Sequence, residues 1–174
     1  KIGTKKILWQ KQLGYIPQEI YLLDDTIRNN ITFGIENDKI DEELLLDTIK
    51  KSQLENFINS LPNKLDTIVG ERGARLSGGE KQRIGIARAL YNKPKIMIFD
   101  EATSALDNIT EKEVMEAVHS TDHKITKILI AHRLSTVKKC DKIFLFDKGE
   151  LKDEGTYQEL IRTSSKFRAS ADNS

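Results

Sequence analysis

Two hydrophobic periods take turns along this 174-residue chain. Residues 95–99 (KIMIF) and 125–131 (ITKILIA) are short, nearly continuous apolar runs. Such runs predict strands buried on both faces, as in a parallel sheet. Residues 12–18 (QLGYIPQ) predict a further short strand, stopped by Pro17. Residues 143–147 and 150–153 predict two strands joined at Lys148-Gly149. Elsewhere the spacing is helical. Leu44, Leu45, Thr48, Ile49, Phe57 and Ile58 predict one or two helices within 41–60, broken by Pro62-Asn63. Residues 109–119 predict a helix with Val114, Ala117 and Val118 inward, and residues 135–139 a short one.

The punctuation is equally informative. Residues 20–35 read as a loop with a helical turn near Thr26 to Ile31, and residues 64–76 as irregular chain around Gly70 and Gly73. Ser77 and Glu80 stand at capping-box spacing and open a helix running to about Tyr91. Thr156 and Glu159 repeat that spacing and start a last helix. From Thr163 the tail is polar and serine-rich, and mobility is expected there. Buried strands alternating with helices predict an α/β fold. Residues 36–92 interrupt that alternation and are expected to form an inserted helical lobe.

Composition narrows the function classes. Hydrophobic residues are 38% of the chain, enough for one domain with a core. The 28 basic and 27 acidic residues nearly cancel, so overall charge offers no argument for a nucleic-acid partner. The single cysteine, Cys140, excludes an internal disulfide and reads as a small, partly buried residue before a strand. No run approaches the ~20 apolar residues of a membrane-spanning helix, and no signal peptide is visible.

Two stretches carry chemistry. The run 95–99 ends on Asp100 and Glu101. Ligands of open parallel sheets sit beyond the carboxyl ends of the strands. A carboxylate there can hold Mg²⁺, usually through water, and its neighbour can polarise an attacking water. A solvated acidic pair is the bland alternative, made less attractive by the apolar run before the pair and the small-residue turn after it. The stretch Leu76-Ser77-Gly78-Gly79-Glu80-Lys81-Gln82-Arg83, with Ser77 twenty-three positions before Asp100, puts a hydroxyl and exposed backbone N–H groups at a helix start. That arrangement suits a γ-phosphate.

These residues resemble the ABC (ATP-binding cassette) ATPases. LSGGE is similar to that family's signature, and residues 95–107 to its Walker B strand and D-loop. Gln18, after Tyr15-Ile16-Pro17, resembles the Q-loop glutamine, and His132, after residues 128–131, the switch histidine. The motifs stand in the family's order across about residues 7–160. The resemblance implies a RecA-like P-loop NTPase core (1–35 and 93–162) with an α-helical subdomain (36–92) and a flexible tail (163–174). It implies ATP and Mg²⁺ as cofactors. Glu101 would be the general base, Asp100 a Mg²⁺ ligand, Gln18 a sensor of metal or attacking water, and His132 a γ-phosphate contact. Ser77, Gly78, Gly79 and Glu80 would meet ATP held by a second ATPase domain, with Ser104 and Asp107 facing that domain. His119 and His123 read as structural histidines.

Residues 67–73 resemble the X-loop of ABC exporters, and Trp9 to Gly34 also reads like exporter ATPase domains. The implied partners are exporter transmembrane domains, with no nucleic acid, at the cytoplasmic face of the membrane. Glu80 stands where glutamine is commoner, and still completes the capping box. A larger departure is that no GxxxxGK followed by Ser or Thr occurs. That loop supplies backbone N–H groups and a lysine to the β- and γ-phosphates. The family's order places it before Lys1, so the chain reads as the C-terminal part of an ATPase domain, inactive alone, with an unpaired sheet edge and exposed apolar surface. The alternatives are part of a soluble ABC ATPase and a non-catalytic module lending its signature helix to another ATPase.

Overall fold

The computed structural model describes residues 9–103, 106–121 and 124–172. They fall into two compact units, Lys1–Ile130 and Ala131–Ser174.

The first unit is built on a parallel sheet of three strands in the order β1 (Leu13–Ile16), β2 (Ile96–Asp100), β3 (Thr126–Ile130). Leu13 pairs with Ile96 and Ile96 with Thr126, so the strands end together near Ile16, Phe99–Asp100 and Leu129–Ile130. Strand periodicity then sorts the side chains. Gly14, Ile16, Met97 and Phe99 fall on one face and are buried. Tyr15, Ile98, Asp100, Ile128 and Ile130 fall on the other, where Tyr15, Ile128 and Ile130 are about half exposed. The strands expected to be buried on both faces are thus buried on one. The apolar exposure expected from the sequence is present on the other.

The buried face is covered by helices. The helices of this unit are α1 (Ile27–Ile31), α2 (Glu42–Lys51), α3 (Glu55–Ser60), α4 (Gly78–Tyr91) and α5 (Asn108–Ser120). Helix α4 is central and packs on β1, α1, α2 and α5. Its Ile84, Ile86 and Ala87 have no exposed surface and join Ile16, Leu22, Leu45, Met97 and Val114 in one continuous core. Residues 36–92 therefore share their core with β1 and β2 rather than enclosing one of their own. The sequence pattern shows helices there but not which surface they bury.

Caps fall where side-chain chemistry directs. Thr26, Asp41, Ser77 and Asp107 begin α1, α2, α4 and α5, each accepting backbone N–H groups that the first turn leaves without partners.

The second unit contains helix α6 (Leu134–Val137) and an antiparallel hairpin of β4 (Ile143–Asp147) and β5 (Glu150–Gly155). Two helices follow, α7 (Tyr157–Thr163) and α8 (Ser165–Asp172). Ile143, Leu160 and Phe167 form its small core. Helix α8 occupies most of the tail expected to be mobile. Phe167 anchors it, buried and edge-on to Tyr157 at 5.6 Å between ring centroids. One aromatic in a polar run leaves no periodic signal, yet burying it is worth roughly 1.5–3 kcal/mol.

Candidate functional site

The carboxyl ends of β1 and β2 gather three of the expected residues. Gln18 lies two residues past β1, Asp100 ends β2 and Glu101 follows it. Asp100 and Glu101 are half-buried. Tyr15, on the same sheet face as Asp100, donates its hydroxyl to Asp100 Oδ2 at 2.7 Å. That bond raises the tyrosine's pKa, because ionisation would lose the donor and set a phenolate beside the carboxylate. Glu101 has φ +50°, in the left-handed region that an L-residue enters at a cost of ~1–3 kcal/mol. Its N–H donates to the carbonyl of Ile130 at 3.0 Å, tying the turn to the end of β3. Strand alternation is broken at this residue, so Asp100 and Glu101 leave β2 with different backbone geometry.

Gln18 is exposed, and its carbonyl accepts the buried Gln82 side chain of α4 at 2.7 Å. The segment leaving β1 and helix α4 are therefore directly bonded. Neither Tyr15 nor Gln82 stands out from the sequence as a site residue. Gln82 lies within the LSGGEKQR stretch, but its partner is 64 positions away.

A second cluster forms at the start of α4. The Ser77 hydroxyl accepts the Glu80 N–H at 3.3 Å, and the Glu80 carboxylate accepts the Ser77 N–H at 2.7 Å. The expected capping box is complete. Ser77 and Gly78 are exposed and Gly79 is buried. A Cβ on Gly79 would stand 2.1 Å from Thr110 Cγ2 of α5, and one on Gly78 3.1 Å from Leu106. Both glycines thus permit close approach of α4 to the start of α5, a packing role invisible in the motif. Asp107 caps α5. Its Oδ1 accepts the N–H groups of Ile109 (3.0 Å) and Thr110 (3.1 Å), and its Oδ2 accepts the Thr110 hydroxyl at 2.7 Å. The Thr110 hydroxyl, then these amides, hold the Asp107 carboxyl below its usual pKa.

His132 is exposed and belongs to the second unit, two residues along the chain from Ile130. Ser104 and His123 lie outside the described residues. Among the described residues no group of three or more His, Cys, Asp or Glu could hold a metal alone. Asp100 Oδ1 has no protein donor among them, while Oδ2 is occupied by Tyr15. One available carboxylate oxygen at a strand end fits Mg²⁺, which usually takes one or two carboxylates and completes its shell with water and phosphate oxygens.

The segment resembling the X-loop is joined to the segment following Gln18. Ile27 N–H donates to Thr67 O, Val69 N–H to Asp25 O, and Thr26 and Ile68 form an isolated bridge. Arg88 fastens the other side, donating to the carbonyls of Tyr21 and Asn30 and to Asn30 Oδ1. Exposed apolar side chains cluster on these segments in sequence: Tyr21, Leu23, Phe33, Ile35 and Ile68.

A parallel sheet ending on an Asp-Glu pair, bonded through Gln18 and Gln82 to a capped Ser-Gly-Gly helix, is the arrangement expected of the cassette class. Comparisons with known proteins agree. The family described as "ABC transporter" matches residues 3–104, and the chain belongs to that family. It is 44% identical over 155 residues to ABC multidrug transporter mdr1 of Aspergillus fumigatus, covering 89% of this chain and 12% of that protein. It is 45% identical over 159 residues to the ABC transporter ATP-binding protein YfiB of Bacillus subtilis, covering 91% of this chain and 27% of that protein. A bacterial Atm1-family ABC exporter solved with ATP bound superposes with a TM-score of 0.83 at 39% identity, covering 94% of this chain and 29% of that one. The chain thus spans about an eighth to a quarter of the curated relatives it matches. It is homologous to the nucleotide-binding domains of ABC exporters, with the mixed α/β architecture expected of a RecA-like core. Among the described residues no helix is long and apolar enough to cross a membrane.

Proposed function

We propose that this chain is the C-terminal part of an exporter's ATPase domain, and that the complete protein hydrolyses ATP at the cytoplasmic face of a membrane. The observation that carries the proposal is the convergence of Gln18, Asp100 and Glu101 at the carboxyl ends of adjacent strands. Asp100 Oδ1 would hold Mg²⁺ through water, with Tyr15 fixing the other oxygen. When bound, Mg²⁺ neutralises charge on the β- and γ-phosphates. Glu101 would take the proton of the attacking water, held in place by its turn against Ile130. Gln18 would report the state of water or metal to α4 through Gln82. His132 would contact the γ-phosphate.

Residues Ser77, Gly78, Gly79 and Glu80 would close over ATP held by a second ATPase domain, with Asp107 at the same interface. The exposed start of α4 supports this, since unpaired N–H groups and the helix dipole favour a phosphate there. Within the first unit, 36–92 would be the helical subdomain. The exposed apolar residues of the segments around Gln18 and Ile68 would receive transmembrane domains.

The lack of a GxxxxGK loop favours one second reading. The chain alone would be a non-catalytic module presenting its signature helix to another ATPase. Mg²⁺-dependent ATP hydrolysis separates the two. In the complete protein, Glu101→Gln should lower turnover by about 10²–10⁴, the usual contribution of a general base, with ATP binding retained. The 174-residue chain should show no turnover above its own Glu101→Gln control. Turnover by the short chain that Glu101→Gln abolishes would mean that it holds nucleotide without that loop.

A further inference from the structure

At the end of the sheet opposite Asp100 and Glu101 lies a half-open surface pocket of about 270 Å³, with Lys93, Lys95 and Lys124 exposed at its rim. It is bounded by α2, the end of α4, and the segments entering β2 and β3. Strand β2 has five residues, so the cavity and the carboxylate pair are about 15 Å apart along the strand. Among the described residues four lysines line it, Lys51, Lys93, Lys95 and Lys124, with one carboxylate, Asp47. Lys51 and Lys124 have partners of their own, so the local positive excess is supplied by Lys93 and Lys95. Asp47 already pairs with Lys51 at 2.6 Å. Among the described residues, neither Lys93 nor Lys95 makes an ion pair. Between the cations the walls are apolar, formed by Leu44, Leu90, Pro94 and Ile125.

We propose that this cavity is a binding site for a small organic phosphate, separate from the nucleotide site. Lysine ammonium groups are compact point charges that suit phosphate from several directions without fixed planar geometry. The apolar walls suit a short hydrocarbon or ring carrying that phosphate. The volume lies just below the usual range of about 300–1,000 Å³ for ligand pockets, which selects a small molecule. The backbone N–H groups of Lys93 and Lys95 are taken by Leu90 and Gln12 carbonyls, so recognition falls to side chains and should weaken as salt rises. The occupant would touch the ends of α2 and α4 and the entries to β2 and β3, and so would brace the helical segment against the sheet.

Calorimetric titration of the 174-residue chain with phenyl phosphate, in EDTA and without nucleotide, tests this. One saturable site is expected, with inorganic phosphate weaker and phenol not saturating. Lys93→Gln/Lys95→Gln should weaken binding at least about tenfold, while Lys93→Arg/Lys95→Arg stays within about threefold of the parent. Glu101→Gln should leave this binding unchanged, so failure of the proposed ATPase function would not remove it. Absence of saturation up to about 10 mM would overturn the proposal. So would equal binding of phenol, insensitivity to the Gln pair, or tighter binding of a tri-glutamate peptide, which would point to an acidic protein segment.

Discussion

The two faces of the parallel sheet have similar strand composition and opposite fates. Gly14, Ile16, Met97 and Phe99 are sealed beneath helices, whereas Tyr15, Ile128 and Ile130 on the reverse are about half exposed. Parallel sheets are ordinarily covered on both sides. The sealed face holds the unit together. The open face carries Asp100, the proposed Mg²⁺ ligand, and the tyrosine bonded to it. A single alternation of side chains therefore separates the packed core from the proposed site.

The largest expected contrast comes from cutting a side chain on each face. Phe99→Ala should destabilise the chain by about 3–5 kcal/mol, because it removes a buried ring and leaves a cavity. Ile128→Thr should change stability by less than about 0.5 kcal/mol, as expected of an exposed position that keeps its β-branch. Urea denaturation of both variants measures the difference. Similar losses at the two positions would mean that the open face is covered in solution.

A smaller effect tests the packing role of Gly79 beside its proposed role toward phosphate. Gly79→Ala should cost about 1–3 kcal/mol through overpacking against Thr110 Cγ2. Adding Thr110→Ser removes that methyl, keeps the hydroxyl bonded to Asp107, and should recover most of the loss. No recovery in the double variant would place the strain elsewhere.

The smallest effect is electrostatic. Asp107 has a folded-state pKa below its unfolded value. Its contribution is complete above the unfolded carboxylate range, near pH ~4, and is lost as pH falls through the folded value. The stability difference between the parent and Asp107→Asn should therefore be constant above about pH 5 and shrink on further acidification. Thermal unfolding across that range reads it, and a difference that grows toward acid would contradict the assignment.

Each of these contrasts depends on contacts that differ in how legible they are along the chain. The start of α4 is local chemistry. Ser77 and Glu80 stand three residues apart, and a capping box needs nothing further. Strands β1, β2 and β3 were readable from apolar runs, and the Asp-Glu pair from its place after one of them. Their burial was not, because an apolar run specifies affinity for a core without specifying which neighbours supply it. Residues 36–92 show the same limit. Their helical spacing is plain, but the shared core with Ile16 and Met97 joins positions far apart in the chain.

The sequence by itself therefore determined the family, the capping-box helix starts at Ser77 and Thr156, the approximate place of each strand and the carboxylate pair, all encoded within a few neighbouring residues. Only the tertiary structure decided that Tyr15 holds Asp100, that Gln82 reaches Gln18, that Gly79 admits Thr110, and that four lysines line one pocket. It also decided that Phe167 secures the last helix. Those contacts depend on strand register and helix packing, which are set by the whole core at once and leave no periodic trace in the chain.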